Sequence, residues 1–226
     1  MTKIMLFMSV ALSWQLVFSG TNMSTPKSPD IILRFGNTLE DILKNWKLKP
    51  LVGKDEYDVI RRENGNILHI LSNQSASILF KKVDFSVYEY PIIRWQWQVN
   101  EFPKYAESSS EYTIDDYAAR ICVAFPAWTI RSTKFLVYVW DDRTDEIGVV
   151  KPSSFSDNCK IIVVEGGKQN QGQWVTEERN IIEDYIRVFG NEPKKAAAGI
   201  GVMSDSDDTK SSTDAYYHNI YLKSEI

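Results

Sequence analysis

The chain has 226 residues, 43% of them hydrophobic and 12% aromatic, with a formal net charge of −4. That composition supports one substantial core and excludes a disordered chain. A mildly acidic balance without a dense Lys/Arg run argues against a general nucleic-acid binder. With His69 and His218 as the only histidines, a zinc site or a catalytic triad built on several is also disfavoured.

Residues 1–20 read as a secretory signal peptide: Lys3, then an apolar run from Ile4 to Phe18, then small Ser19 and Gly20. The run is about fifteen residues long and contains Ser9, Ser13 and Gln15, whereas a membrane span needs about 20 apolar residues. Cleavage would remove one positive charge and leave no membrane span, so the expected location is secreted or periplasmic. Residues 21–30 (T-N-M-S-T-P-K-S-P-D) form a polar linker, and residues 31–226 a single β domain.

Within that domain, short β-rich runs alternate with turn signals. They fall at 31–35, 57–61, 67–71, 77–83, 91–99, 117–125, 134–140, 160–165, 197–203 and 215–222. This spacing predicts an all-β fold, an antiparallel jelly-roll β-sandwich. A packed α-helix is expected near 177–190, where Ile181, Ile182, Tyr185 and Phe189 recur at helical spacing and Gly190 marks the stop. A weaker helical turn is expected at 39–46. Cys122 and Cys159 are too few for a disulfide framework, although a bridge between them is compatible with secretion.

The clearest alternation is Ile93, Trp95, Trp97 and Val99 on one face against Arg94, Gln96 and Gln98 on the other. Either this is a core face with a solvated back, or the long polar side chains line a sheet that meets a polar ligand. Tyr138 and Trp140 share a face of their strand and would supply a stacking platform. Arg120, in the strand Y-A-A-R-I-C-V-A-F, needs a partner: a structural carboxylate such as Asp115, Asp116 or Asp184, or a ligand that it clamps. Glu177 and Glu178 read as first-turn acids of the helix. His218 lies among Tyr216, Tyr217, Asn219 and Tyr221, a cluster able to hold a polar ligand or act as acid and base, or simply an aromatic edge strand. In M-S-D-S-D-D-T, Asp205 and Asp207 have the spacing that opens a calcium loop, but an EF-hand is excluded because Lys210 and Tyr216 stand where glycine and glutamate are required. Otherwise the stretch is a polar turn whose Asp205 carboxylate faces the same sheet end as Arg120.

Taken together, R-W-Q-W-Q-V (94–99), D-D-Y-A-A-R-I-C-V-A-F (115–125), Y-V-W-D-D (138–142), the segments 172–190 and 199–209, and A-Y-Y-H-N-I (215–220) resemble the bacterial family called domain of unknown function 3047. The resemblance covers roughly residues 31–222 and implies a secreted single domain without an established activity. Members of that family carry Asn-Thr after the second aspartate, where this chain has Asp208-Thr209. The aromatic last strand after a polar loop also looks like the closing strand of galactose-binding-like jelly rolls, an architectural likeness only.

The reading that follows is a non-catalytic binding module for a glycan or similar polar small molecule. Arg94, Gln96, Gln98, Arg120, Tyr138, Trp140 and Asp205 would form its site, and calcium is a candidate ligand at Asp205 and Asp207. The alternatives are a glycoside hydrolase or polysaccharide lyase on the same scaffold, and an envelope domain that meets another protein.

Overall fold

The computed structural model of the protein describes residues 29–106, 114–129 and 132–224. The expected signal peptide and most of the linker lie outside the described residues. Among the described residues, thirteen strands and two short helices follow one another: β1 (Ile31–Leu33), α1 (Leu39–Leu43), β2 (Lys47–Val52), β3 (Glu56–Ile60), β4 (Ile67–Asn73), β5 (Ala76–Phe85) and β6 (Ile92–Glu101). After them come β7 (Ala119–Phe125), β8 (Lys134–Asp141), β9 (Val150–Pro152), β10 (Cys159–Gly166), β11 (Val175–Asn180), α2 (Ile181–Phe189), β12 (Ala197–Asp205) and β13 (Ser212–Lys223).

The strands form two sheets packed as a jelly-roll β-sandwich. The first runs β11-β6-β13-β4-β3, with β1 also on β13; the second runs β2-β5-β12-β7-β8-β10-β9. All neighbours are antiparallel except β8 and β10, which pair in parallel from Phe135↔Cys159 onward. The sheets meet through stacked aromatics: Trp95 of β6 lies on Tyr138 of β8 with ring centroids 5.3 Å apart, and Trp140 meets Trp97 at 6.2 Å and Phe102 at 5.7 Å.

The two sheets differ in what their outer faces do, and the sequence pattern carries the reason. On β6 and β13, inward residues are buried and outward ones are partly or fully exposed. On β7, every residue is buried: Ala119, Ile121, Val123 and Phe125 face the sandwich, while Cys122 joins an outer cluster with Val137, Val139, Ile161 and Val163. A strand apolar on both faces needs cover on both. Part of that cover comes from β5, whose Phe80 ring lies over the backbone of β12: a Cβ at Gly199 would come within 2.1 Å of it. Cys122 and Cys159 both lie in this outer cluster, with β8 between their strands. Two strand spacings make about 9–10 Å, beyond the Cα reach of a disulfide, and both thiols are free. Burial pushes the Cys122 thiol up to about 12.

The main helix begins later than its sequence suggests. Residues 175–180 are not helical; they pair with β6 from Val175↔Trp97 to Asn180↔Ile92 as an edge strand. Glu177 and Glu178 therefore do not serve a helix first turn. The helix starts at Ile181 because the Asn180 side chain accepts from the Ile182 and Glu183 amides at 3.0 and 3.3 Å. It stops at Gly190, whose φ of 72° closes the last turn. Tyr185 docks it on Phe125 with ring centroids 4.6 Å apart. Replacing Asn180 by Ala should lower stability by about 1 kcal/mol in urea unfolding with an unchanged slope. Replacing Thr176, which would cap a helix starting at 177, should change it by less than about 0.5 kcal/mol.

Candidate functional site: the outer face of the six-stranded sheet

Strand pairing assembles polar and aromatic side chains into rows on the outer face of the first sheet. One row is Thr176 of β11, Gln96 of β6 and His218 of β13; the next is Gln98, Tyr216 and His69 of β4; a third is Glu178, Arg94 and Tyr221. Neighbours within this lattice hold one another. The Gln96 amide donates to Thr176 Oγ1 at 3.1 Å and accepts from Asn219 Nδ2 at 3.3 Å, while Gln98 Nε2 donates to Asn100 Oδ1 at 2.8 Å. The His69 and Tyr216 rings stack 4.3 Å apart, and His69 Nε2 meets Asp214 Oδ1 at 2.9 Å. At the margin stands Trp174, 41% exposed and edge-on to His218 with ring centroids 5.9 Å apart.

A β-bulge between His218 and Tyr221 places two consecutive side chains on this face. Asn219 takes the left-handed conformation there, with φ of 48°, which asparagine tolerates better than most residues. His218 Nε2 lies 2.9 Å from the Gly65 carbonyl and must donate to it, so Nδ1 accepts from Asn219 Nδ2 at 3.0 Å. Burial lowers the His218 pKa, opposed by the Gly65 and Asn64 carbonyls, and favours the neutral ring. The turn at Gly65 can sit this close only without a side chain: a Cβ there would lie 2.9 Å from Asn219 Oδ1, and its φ is 114°. Beyond the end of β6, a cleft of about 460 Å³ opens beside Phe102, Tyr105, Asp142, Lys168 and Gln171. Burial raises the Asp142 pKa although Lys168 lies 3.1 Å away.

Of the expected site residues, Arg94, Gln96 and Gln98 share this face, and the others lie elsewhere. Tyr138 and Trp140 are fully buried on the inward side of β8, because K-F-L-V-Y-V-W is apolar on both faces; they cannot stack on a ligand. Arg120 and Asp205 belong to the second sheet and hold each other. Arg120 Nε donates to Asp205 Oδ1 at 3.1 Å, Nη2 to Oδ2, and Nη1 to Asp115 Oδ1 at 3.1 Å. Burial works against the Arg120 charge, but Asp205 and Asp115 outweigh it and keep the guanidinium protonated. Tyr117 lies between two guanidinium groups, Arg120 at 4.7 Å and Arg143 at 4.8 Å from its ring. Arg143 and Lys151 in turn neutralise the buried Asp141 at 2.8 and 2.6 Å.

Carboxylate oxygens of Asp116, Asp205 and Asp207 lie within 4.8 Å of one another. Asp205 is committed to Arg120, and Asp116 accepts from the Asp208 amide at 3.2 Å and from the Thr209 amide and hydroxyl at 2.7 Å. Burial, then Asp116 and Asp208, raise the Asp207 pKa. Trp174, Thr176 and His69 were not among the expected site residues, and Tyr216 entered only as a neighbour of His218. The available signal was the alternation in W-V-T-E-E-R-N, where Thr176 and Glu178 share a side and no apolar helical repeat precedes Ile181.

Two packed sheets, one of them with a polar, aromatic outer face, define a jelly-roll β-sandwich. This chain belongs to the family described as protein of unknown function (DUF3047), whose model matches residues 44–221. No curated protein matches it in sequence. Among solved structures, it is similar to the family 30 carbohydrate-binding module of a cellulosomal cellulase of Clostridium thermocellum, with 8% identity, TM-score 0.51, and 88% of this chain and 99% of that one covered. A family 11 carbohydrate-binding module of the same organism, in complex with a β-1,3-1,4-mixed-linked tetrasaccharide, matches at 13% identity and TM-score 0.45, over 87% and 96% of the chains. A cellulase derived from Cel12A of Rhodothermus marinus matches at 10% identity and TM-score 0.46, over 85% and 97%.

Arg120→Ala should remove about 3–5 kcal/mol of stability in urea unfolding, because Asp205 is left buried without a counter-charge. Arg94→Ala, at the half-exposed pair with Glu178, should change it by less than about 1 kcal/mol. Melting in calcium and in excess chelator should coincide, since Arg120 already supplies the charge that Asp205 needs. A calcium-dependent rise in Tm would instead place a cation among Asp116, Asp205 and Asp207.

Proposed function

We propose that the protein is an extracytoplasmic, non-catalytic module that binds an uncharged glycan along the outer face of its six-stranded sheet. The observation that carries this reading is Trp174 at the margin of the Gln96, Gln98 and His218 rows. A flat exposed ring beside fixed amide donors and acceptors suits a sugar, which presents an apolar ring face and a rim of hydroxyls. The face carries charge of both signs: Glu178 lies 3.6 Å from Arg94 and 3.2 Å from Lys223, Asp214 lies 2.9 Å from His69, and Asp58 of β3 stands across from His69. That balance favours a neutral ligand over a uronate or sulfated one.

The fold shared with the family 30 module is compatible with this use, but a fold alone does not fix function, so the face itself carries the argument. The signal-like residues 1–20 support an extracytoplasmic setting. Among the described residues, no helix is long and apolar enough to cross a membrane. A glycosidase needs a pair of carboxylates flanking the bond it cleaves. On this face Glu178 is instead held by Arg94 and Lys223, which favours binding over hydrolysis.

Calorimetric titration with soluble neutral glucans and, separately, with uronate oligosaccharides tests the proposal. Neutral oligosaccharides should bind with millimolar or tighter Kd and uronates more weakly. Trp174→Ala should weaken binding about tenfold, or ~1.4 kcal/mol, with the melting temperature unchanged. The absence of binding by any neutral glycan at millimolar concentration would remove this reading.

A further inference from the structure

Directly beneath the proposed platform, β11 holds a partly buried acid. Glu177 lies on the inward side of the strand, opposite Trp95 of β6. Its Oε1 is fully enclosed and has no hydrogen-bond partner among the described residues. The Nε1–H groups of buried Trp95 and Trp97 are likewise unpartnered. Across the sandwich, Glu165 follows the bulge in β10, opposite Trp140, and accepts from Asn170 Nδ2 at 3.2 Å. Its carboxylate is close enough to repel that of Glu177.

The other charged and titratable groups do little to offset this. Arg179 shares the inward side of β11, but its guanidinium is engaged by Asp184 of α2 through bonds of 2.9 and 2.6 Å. Tyr138 of β8 is buried, and burial together with Asp184 keeps its phenol protonated. On β6, the side chains toward Glu177 are indoles, which do not titrate; the Trp97 N–H favours the ionised acid but does not outweigh burial. An ionised Glu177 therefore has one oxygen cut off from water and no free counter-charge, whereas the neutral acid is tolerated. Burial, reinforced by Glu165, raises its pKa from the usual carboxylate value of 4.5 to about 7, with Trp97 and Arg179 acting in the opposite direction.

The strand that carries this acid is the edge of its sheet, paired on one side only, with β6. Its outer side supplies Thr176 and Glu178 to the platform, and Trp174 immediately precedes it. We propose that Glu177 is a proton-operated latch for the ligand face. With the acid neutral, β11 stays seated and Trp174 and Thr176 complete the platform. With the acid ionised, the edge strand loosens and the grip on the ligand weakens. The ligand consequence rests on the glycan reading above; the latch itself does not.

In the loosened strand Glu177 titrates as a free side chain, so the open form gives up its proton at lower pH than the seated form. The seated form has its full advantage below the free value. It loses that advantage as pH climbs between the two values and is weakest above the higher one. Backbone hydrogen exchange of the full chain, expressed as protection factors at about pH 5.5 and about pH 8.5, reads this without any ligand. With a pKa moved from 4.5 to about 7, protection of the β11 amides should fall roughly thirtyfold over that range, while β7 should not follow.

Glu177→Gln, a neutral isostere, should abolish the fall at β11. Glu165→Gln, which removes the repulsion and keeps the acid, should move it to lower pH. A carbon-13 carboxyl titration of Glu177 in the unaltered protein should show a midpoint near neutrality and depends on no variant folding. A midpoint in the ordinary carboxylate range, or the same β11 response in Glu177→Gln, overturns the latch. Glycan affinity that stays flat across a pH range in which β11 opens overturns its link to the ligand. If no glycan binds while the β11 response persists, the platform reading fails and the latch stands.

Discussion

A guanidinium withdrawn from water must find its counter-charges in the fold, and Arg120 finds them at Asp205 and Asp115. This arrangement ties the end of β12 to β7 and to the segment before β7. Asp205 also accepts from the Tyr117 amide at 2.8 Å. Asp115 reaches farther, accepting from the Ser153 hydroxyl at 2.8 Å and from the Ser154 amide at 3.1 Å. One buried charge thus draws loops that are distant in sequence toward the outer side of the seven-stranded sheet. Tyr217 links the same region to the other sheet, accepting from the Arg120 amide at 3.0 Å and donating to the Met203 carbonyl at 2.6 Å. The outer apolar cluster of Cys122, Val137, Val139, Ile161 and Val163 depends on that cover.

How much of this was legible depended on whether a pattern has one structural meaning. Alternation in R-W-Q-W-Q-V admits one reading, a half-buried strand, so Arg94, Gln96 and Gln98 were placed correctly on an outer face. The run K-F-L-V-Y-V-W was read by the same period-2 rule, but its apolar residues on both sides mean burial on both sides. Tyr138 and Trp140 share a face, as alternation requires, but that face is the core. Arg120 was recognised as needing a partner; which carboxylate supplies it depends on the pairing of β7 with β12, a contact between segments about eighty residues apart. Likewise, β2, β9 and β11 were not foreseen as strands. K-L-K-P-L-V and V-T-E-E-R-N are charged edge strands, whose composition protects an exposed edge and so hides the strand signal.

That concealment bears directly on the candidate site, because the edge strand supplies its outermost row. Reading 177–190 as one helix turned Glu177 and Glu178 into equivalent first-turn acids, whereas pairing with β6 sends them to opposite sides of a sheet. Glu178 lies outward between Arg94 and Lys223, and Glu177 inward beneath Trp95. Adjacent residues of one type thus meet different environments, and only the inward one has its pKa raised by burial. Asn180 sets the arrangement, since its cap fixes where the strand ends and the helix begins.

An edge strand is the least constrained part of a sheet, and a buried acid without a counter-charge is a local cost to stability. A fold optimised for stability alone would place Leu or Gln at position 177, since neither can put a charge at the enclosed position of Oε1. The weakness falls on the one strand whose outer side carries Thr176 and whose first residue follows Trp174. On the opposite sheet, Arg120 pairs with Asp205, and Arg143 and Lys151 pair with Asp141. On the proposed latch, a conditionally seated edge strand lets the outer face of the six-stranded sheet respond to protons while the core stays intact.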